Sequence, residues 1–161
     1  MLPLLVNLRH LEHKNVSLEG ELTAEEMELD TLDPLIQTPR PLAYALEVER
    51  LDDNLLVKGR LRMVLACECA RCLRSYDHPV AIEDWTCLIP LTGEEAASVV
   101  NDCVDLTPYV REDTLLAFPL HPLCGSTCGG LSYPPSNATP GAAGETLPAS
   151  SAWAELNKLK L

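Results

Sequence analysis

At 161 residues, 47% hydrophobic and 22% charged, the chain has the composition of one globular domain with a sizeable core. With 24 acidic against 12 basic residues, its formal net charge of −12 argues against general adhesion to polyanions, so any nucleic-acid contact must be local. Aromatic residues make up 4%, with Phe118 the single phenylalanine, which leaves too few platforms for a surface that stacks single-stranded bases.

No run of about 18 apolar residues is present to span a bilayer, and the opening MLPLLVNLRHLEHKN lacks the basic-then-apolar order of an export signal. The expectation is a cytoplasmic protein. Its seven cysteines, an odd number, are then expected to be reduced rather than organised as a disulfide framework.

In chain order, Leu4–Leu8 and Val16–Leu22 alternate apolar and polar residues as half-buried strands do. Thr23 followed three residues later by Glu26 is a capping box and predicts a short helix. Pro34, Pro39 and Pro41 keep the next segment irregular. Leu42 to Ala66 then carries the strongest pattern in the chain. Leu42, Tyr44, Leu46 and Val48 share one strand face, as do Val57, Gly59, Leu61, Met63 and Leu65, with Asp-Asp-Asn between them. Turning at Asp53 and Asn54 sets Val48 opposite Gly59, Glu49 opposite Lys58 and Glu47 opposite Arg60. A register two residues away keeps the faces but loses one of these charge pairs, each contributing roughly 0.2–1 kcal/mol, so the first is preferred.

His78 to Leu91 reads as a further strand whose apolar parity changes near Glu83 and Asp84, which predicts a bulge. Thr92 to Asn101 reads as a loop with one helical turn. Asp105 to Pro119 predicts a helix of about three turns, capped by Thr107, entered at Pro108 and stopped by Pro119. Residues 132–151, built from Pro, Gly, Ala, Ser and Thr, read as a disordered linker, and 152–161 as a short terminal helix. The fold class expected is α+β: an antiparallel sheet with a few short helices in one domain over residues 1–131.

Chemistry concentrates in two cysteine clusters. CECARCL carries Cys67, Cys69 and Cys72, and CGSTC carries Cys124 and Cys128. The two pairs Cys69/Cys72 and Cys124/Cys128 have spacings found in structural zinc sites, where a soft ion without angular preference needs only two short loops brought together. Gly125, Gly129 and Gly130 give the second loop room to wrap an ion. Plain buried thiols and a thiol-disulfide redox pair are the alternatives; the redox reading is the weakest, because a hairpin rather than a βαβ unit precedes the first pair. Cys67, Cys87 and Cys103 are expected in the core, with Cys67 able to substitute as a ligand.

Five of the twelve cationic residues, Lys58, Arg60, Arg62, Arg71 and Arg74, fall within seventeen positions beside the first cluster. They read either as an RNA-phosphate contact or as a solvated face neutralised by Glu47 and Glu49. Arg62, Arg71 and Arg74 lack an obvious local partner and are the better candidates. His10, His13, His78 and His121 are scattered, and no phosphate loop, nucleophile elbow or paired-carboxylate signature is present, so no enzyme is expected.

The arrangement CARCL after a hairpin, then DLTPYVREDTLLAFPLHPLC, then CGGL, resembles the YceD family, the large ribosomal RNA accumulation proteins, over roughly Leu42 to Leu131. The terminal AWAELNKLKL is similar to the tail of many members. The resemblance implies a non-enzymatic cytoplasmic bacterial or plastid protein needed for accumulation of large-subunit ribosomal RNA. Two functions follow as expectations: an assembly factor that contacts ribosomal RNA, or a ribosomal protein, near the thiols; or a protein-interaction module holding a basic ribosomal protein on acidic faces without touching RNA. A thiol-disulfide oxidoreductase is a distant third.

Overall fold

Two antiparallel sheets and two short helices make up the described part of the computed structural model, which covers residues 4–29 and 33–132. The linker and terminal helix expected beyond Ser132 lie outside the described residues. The antiparallel, helix-poor character agrees with the expected class.

Strand β1 (Leu5–Asn7) leads directly into a four-residue helix α1 (Leu8–Leu11), which the strand pattern had hidden. Strand β2 (Val16–Leu22) follows as expected. The capping box after it forms: Thr23 N–H donates to Glu26 Oε2 at 2.8 Å, and Glu26 N–H donates to Thr23 Oγ1 at 3.2 Å. It starts only one turn. Glu28 takes the left-handed φ of 52°, and its amide and that of Leu29 bond back to Glu25 and Ala24, which closes a Schellman cap immediately. The turn still buries Met27 and Leu29.

After a two-residue strand β3 (Ile36–Gln37) come β4 (Leu42–Leu51), β5 (Asn54–Glu68) and β6 (Ser75–Pro90). The larger sheet runs β2-β4-β5-β3, with β6 along the other edge of β5. Strand β5 is therefore central. Its residues Leu55, Val57, Leu61, Met63, Leu65 and Cys67 are all buried on one face, each apolar side chain of that size contributing roughly 1.5–3 kcal/mol on leaving water.

The β4–β5 register corrects the expectation by two residues. Val48 faces Val57, Leu46 faces Gly59 and Glu47 faces Lys58, while Glu49 faces Leu56 and Arg60 faces Ala45. The turn is Asp52-Asp53, with Asp52 at φ 49°, a conformation aspartate tolerates. Backbone sterics outweigh one charge pair here: a Cβ on Gly59 would stand 2.1 Å from the Ala45 carbonyl oxygen and 2.8 Å from Leu46 Cα. The strands approach too closely there for any other residue.

The bulge on β6 is present: Gly59 pairs Trp85, but Leu61 pairs Ile82. The extra residue switches parity, so Val80, Trp85 and Ile89 all reach the core.

The stretch expected to be a loop ends in β7 (Val99–Val100), which with β8 (Cys103–Asp105) and β1 forms the small sheet. Helix α2 (Thr107–Leu116) follows, with Pro108 in its first turn. Thr107 does not cap it as expected. Its hydroxyl accepts from Leu4 N–H at 2.9 Å, and Asp105 Oδ1 accepts from Thr107 N–H at 2.9 Å, tying the helix start to the first strand. Val110 and Leu115 pack into the same core as Trp85, whose indole N–H donates to Asp113 Oδ2 at 2.6 Å. Arg111 Nε donates to the Met27 carbonyl at 2.7 Å.

Candidate metal centre

Two loops, one at the end of the β5–β6 ribbon and one after α2, carry the four cysteines. The ribbon closes with Glu68 opposite Ser75. Core-facing parity on β5 runs through Leu65 and Cys67 to Cys69, which is fully buried. Cys69 N–H donates to the Arg74 carbonyl at 2.9 Å and Leu73 N–H to the Cys69 carbonyl at 2.8 Å, so residues 69–74 form a tight knuckle. Leu73 closes it in the left-handed region, at φ 58°, uncommon for a bulky residue.

The second loop is held against the first by Ala70 N–H donating to the Pro122 carbonyl at 2.8 Å. Cys128 N–H donates to the Gly125 carbonyl at 3.2 Å. Of the three glycines expected to give this loop room to wrap an ion, Gly130 alone takes a positive φ, 81°, and a Cβ there would stand 3.8 Å from the Arg71 carbonyl oxygen.

The sulfurs of Cys69, Cys72, Cys124 and Cys128 all lie within 4.8 Å of one another. Cys69 Sγ is 3.7 Å from Cys128 Sγ, and Cys72 Sγ is 3.7 Å from Cys124 Sγ. These separations are too long for disulfides, and all seven cysteines are free. A tetrahedral ion with metal–sulfur bonds of about 2.3 Å has sulfur–sulfur edges of about 3.8 Å. The donor set therefore fits one metal ion.

The electrostatics point the same way. Backbone N–H groups of Cys124, Cys72 and Arg71 bond the Cys69 sulfur and bring its pKa down to about 6. Cys124, surrounded by the sulfurs of Cys128, Cys72 and Cys69, is pushed up to about 12. One thiol ionises readily and the crowding resists the last. A divalent cation relieves that crowding by neutralising the charge the thiolates share.

The remaining cysteines stay out of the cluster. Cys67 faces the core on β5, and burial raises its thiol pKa, as it does that of Cys87 on β6. Cys103 lies in β8.

The cationic candidates separate into two groups. Lys58, Arg60 and Arg62 alternate on the exposed face of β5, Lys58 opposite Glu47. Arg62, expected to lack a partner, has one: its Nε donates to Glu83 Oε1 at 3.0 Å and its terminal nitrogen to Oε2 at 2.9 Å. Glu83 holds the Arg62 pKa up, and Arg62 holds Glu83 below the usual carboxylate range. The bulge brings Glu83 to this face, so the sequence feature was read but its consequence was not. Arg71 and Arg74 sit on the knuckle itself, exposed, and among the described residues neither pairs with a carboxylate. Exposed leucines accompany them: Leu73 on the knuckle, with Leu120 and Leu131 on the segments flanking the second loop. Their exposure has no sequence signal, since each looks like an ordinary core residue.

Among known proteins, the family described as Large ribosomal RNA subunit accumulation protein YceD matches the chain over residues 57–160, a span containing all four clustered cysteines. No curated protein and no solved structure matches.

Proposed function

Because the chain belongs to the YceD family, we propose that it is a non-catalytic factor in the accumulation of large-subunit ribosomal RNA, acting in the cytoplasm through the surface around its four-cysteine centre. Zinc is the ion assigned to that centre. It favours four thiolates, imposes no geometry of its own and closes the site without redox chemistry. Its role is structural, fastening the segment after α2 to the end of the ribbon. Arg71 and Arg74 then make the RNA contact, as phosphate-positioning groups.

The observation that carries this reading is the placement of those two arginines, unpaired among the described residues, on the very loop whose shape the cysteines fix. In a chain of net charge −12, a local cationic point on a rigid loop gives attraction without general adhesion. Arg62 is neutralised by Glu83, while Lys58 and Arg60, on the same sheet face opposite Glu47 and Ala45, assist by long-range attraction. Replacing Arg71 and Arg74 together with Glu abolishes co-sedimentation with large-subunit precursors; unchanged co-sedimentation would overturn the reading.

A second reading is favoured by the exposed Leu73, Leu120 and Leu131: a surface that holds a ribosomal protein without touching RNA. In-cell crosslinking separates the two, since this one predicts protein adducts alone. A thiol oxidoreductase has less support, because all four sulfurs converge on one cluster.

A further inference from the structure

At the far end of the ribbon lies a cleft that the cysteine centre does not use. Helix α1 is fixed by its cap, where Asn7 Oδ1 accepts from Arg9 N–H at 2.9 Å, and by Leu11, which is buried. The chain then turns into β2, and six polar residues, Arg9, His10, His13, Lys14, Asn15 and Ser17, border a cleft of about 590 Å³ together with Val16. All six are exposed. Each can donate a hydrogen bond, and no carboxylate is among the lining residues. The other clefts differ: those on the outer sheet face include Glu19, Glu47 and Glu83 or Glu21, and that beside α2 includes Asp105 and Glu112. In a chain with twice as many acidic as basic residues, this cleft gathers Arg9, His10, His13 and Lys14 beside the apolar Val16, with Asp102 and Glu47 held at its rim.

We infer that this cleft binds phosphate, and specifically the sugar–phosphate backbone of RNA. Asp102 anchors Arg9 at 2.6 Å, and Asn15 donates to Glu47 at 3.1 Å, so these two shape the rim. Among the described residues, Lys14, His10 and His13 pair with no carboxylate and supply the free donors. The walls are open to solvent and hold no Phe, Tyr or Trp against which a base could stack, which suits a backbone passing through rather than a nucleotide held whole.

The site is separate from the cysteine knuckle. Val16 pairs Val48, which pairs Val57 near the start of β5, whereas the knuckle follows Glu68 at its other end. Eleven residues of strand put roughly 35 Å between the two ends. Arg71/Arg74 and the α1–β2 cleft are therefore independent contacts, and a test of one is not a test of the other.

The test uses the full chain and a fluorescein-labelled RNA hairpin, with affinity followed by anisotropy across a salt series. His13→Glu with Lys14→Glu weakens binding by about 10-fold and lowers the slope of log K against log salt by about 1. Glu12→Gln, outside the walls, leaves binding at least as tight. Unchanged affinity and slope in the His13/Lys14 double variant, with Arg71→Glu/Arg74→Glu still losing binding, overturns this inference alone. Loss in the first variant with none in the second upholds it and overturns the knuckle reading. A wild-type chain that does not bind the hairpin overturns it outright.

Discussion

The Cys69 and Cys128 sulfurs, 59 positions apart in the chain, stand 3.7 Å from each other. Nothing local enforces that approach. It depends on the β5–β6 ribbon delivering one loop, α2 delivering the other, and the Ala70–Pro122 backbone bond joining them. A bound ion would lock all three. Purified untagged protein is expected to carry one zinc per chain by elemental analysis. Cys69→Ser and Cys128→Ser each lower this to under about a tenth of an equivalent, because a structural site missing one of four thiolates loses most of its affinity. Cys87→Ser and Cys103→Ser leave the metal in place. Chelation accelerates hydrogen exchange at the Ala70 and Leu73 amides, which bond within and between the two loops, while the amide of Leu61 in the central strand stays protected. Wild-type protein with substoichiometric metal and seven promptly titratable thiols would remove the metal centre.

Gly59 offers a sharper test of the sheet. Since an added Cβ would lie 2.1 Å from the Ala45 carbonyl oxygen, Gly59→Ala forces β4 and β5 apart at their centre. A loss of roughly 2–4 kcal/mol is expected in urea denaturation, the range of backbone strain and overpacking in a core. Gly125→Ala is the control, with no atom within 4 Å of its Cβ, and is expected to change stability by less than about 0.5 kcal/mol. Equal effects at the two positions would mean that the close approach at Gly59 is not what sets the register.

That glycine also marks where sequence reasoning stops. The two faces of β4 and β5, the bulge at Glu83–Asp84 and the four clustered cysteines were legible, because each depends on parity or spacing along the chain. The register was not. A two-residue slip preserves parity, and the discriminating quantity was a backbone contact at Gly59, not the pairing of Glu49 with Lys58. The helix expected after Thr23 failed for a related reason: its cap is readable, but the left-handed Glu28 that ends it after one turn is not a glycine and gives no warning. Strands β7 and β8 are too short to show a period. At the site, the spacing identified the ligand set, while the partner of Arg62 became visible only once the bulge had placed Glu83 beside it.

That pair makes a pH prediction. Arg62 holds the Glu83 carboxyl below its ordinary value, so the carboxylate is favoured in the folded state. The sign follows: the contribution to stability is fully present above the ordinary carboxylate range and disappears as pH falls through the lowered value of Glu83. Carbon-detected NMR titration is expected to show Glu83 titrating below 4.5, and Arg62→Gln returns it toward that value. The pair is exposed, so added salt weakens the shift. A Glu83 titration unaltered by Arg62→Gln would break the link.

Trp85 and Asp113 join the sheet to α2 through a 2.6 Å hydrogen bond at the edge of the core, and α2 leads to the second cysteine loop. Trp85 is 4% exposed, so its indole N–H has little access to water if the carboxylate is removed. Asp113→Ala is expected to cost about 1–3 kcal/mol, the penalty for a buried donor left unpaired, and Asp113→Asn, which keeps an acceptor oxygen, less than half of that. Trp85 fluorescence, read in a Trp153→Phe background, reports the change directly. Because α2 anchors only one of the two loops, its loosening is expected to speed exchange of the bound ion without lowering its stoichiometry. Asp113→Ala protein with wild-type stability would show that α2 is held by Val110 and Leu115 alone, and that the indole bond is incidental to how the cysteines are brought together.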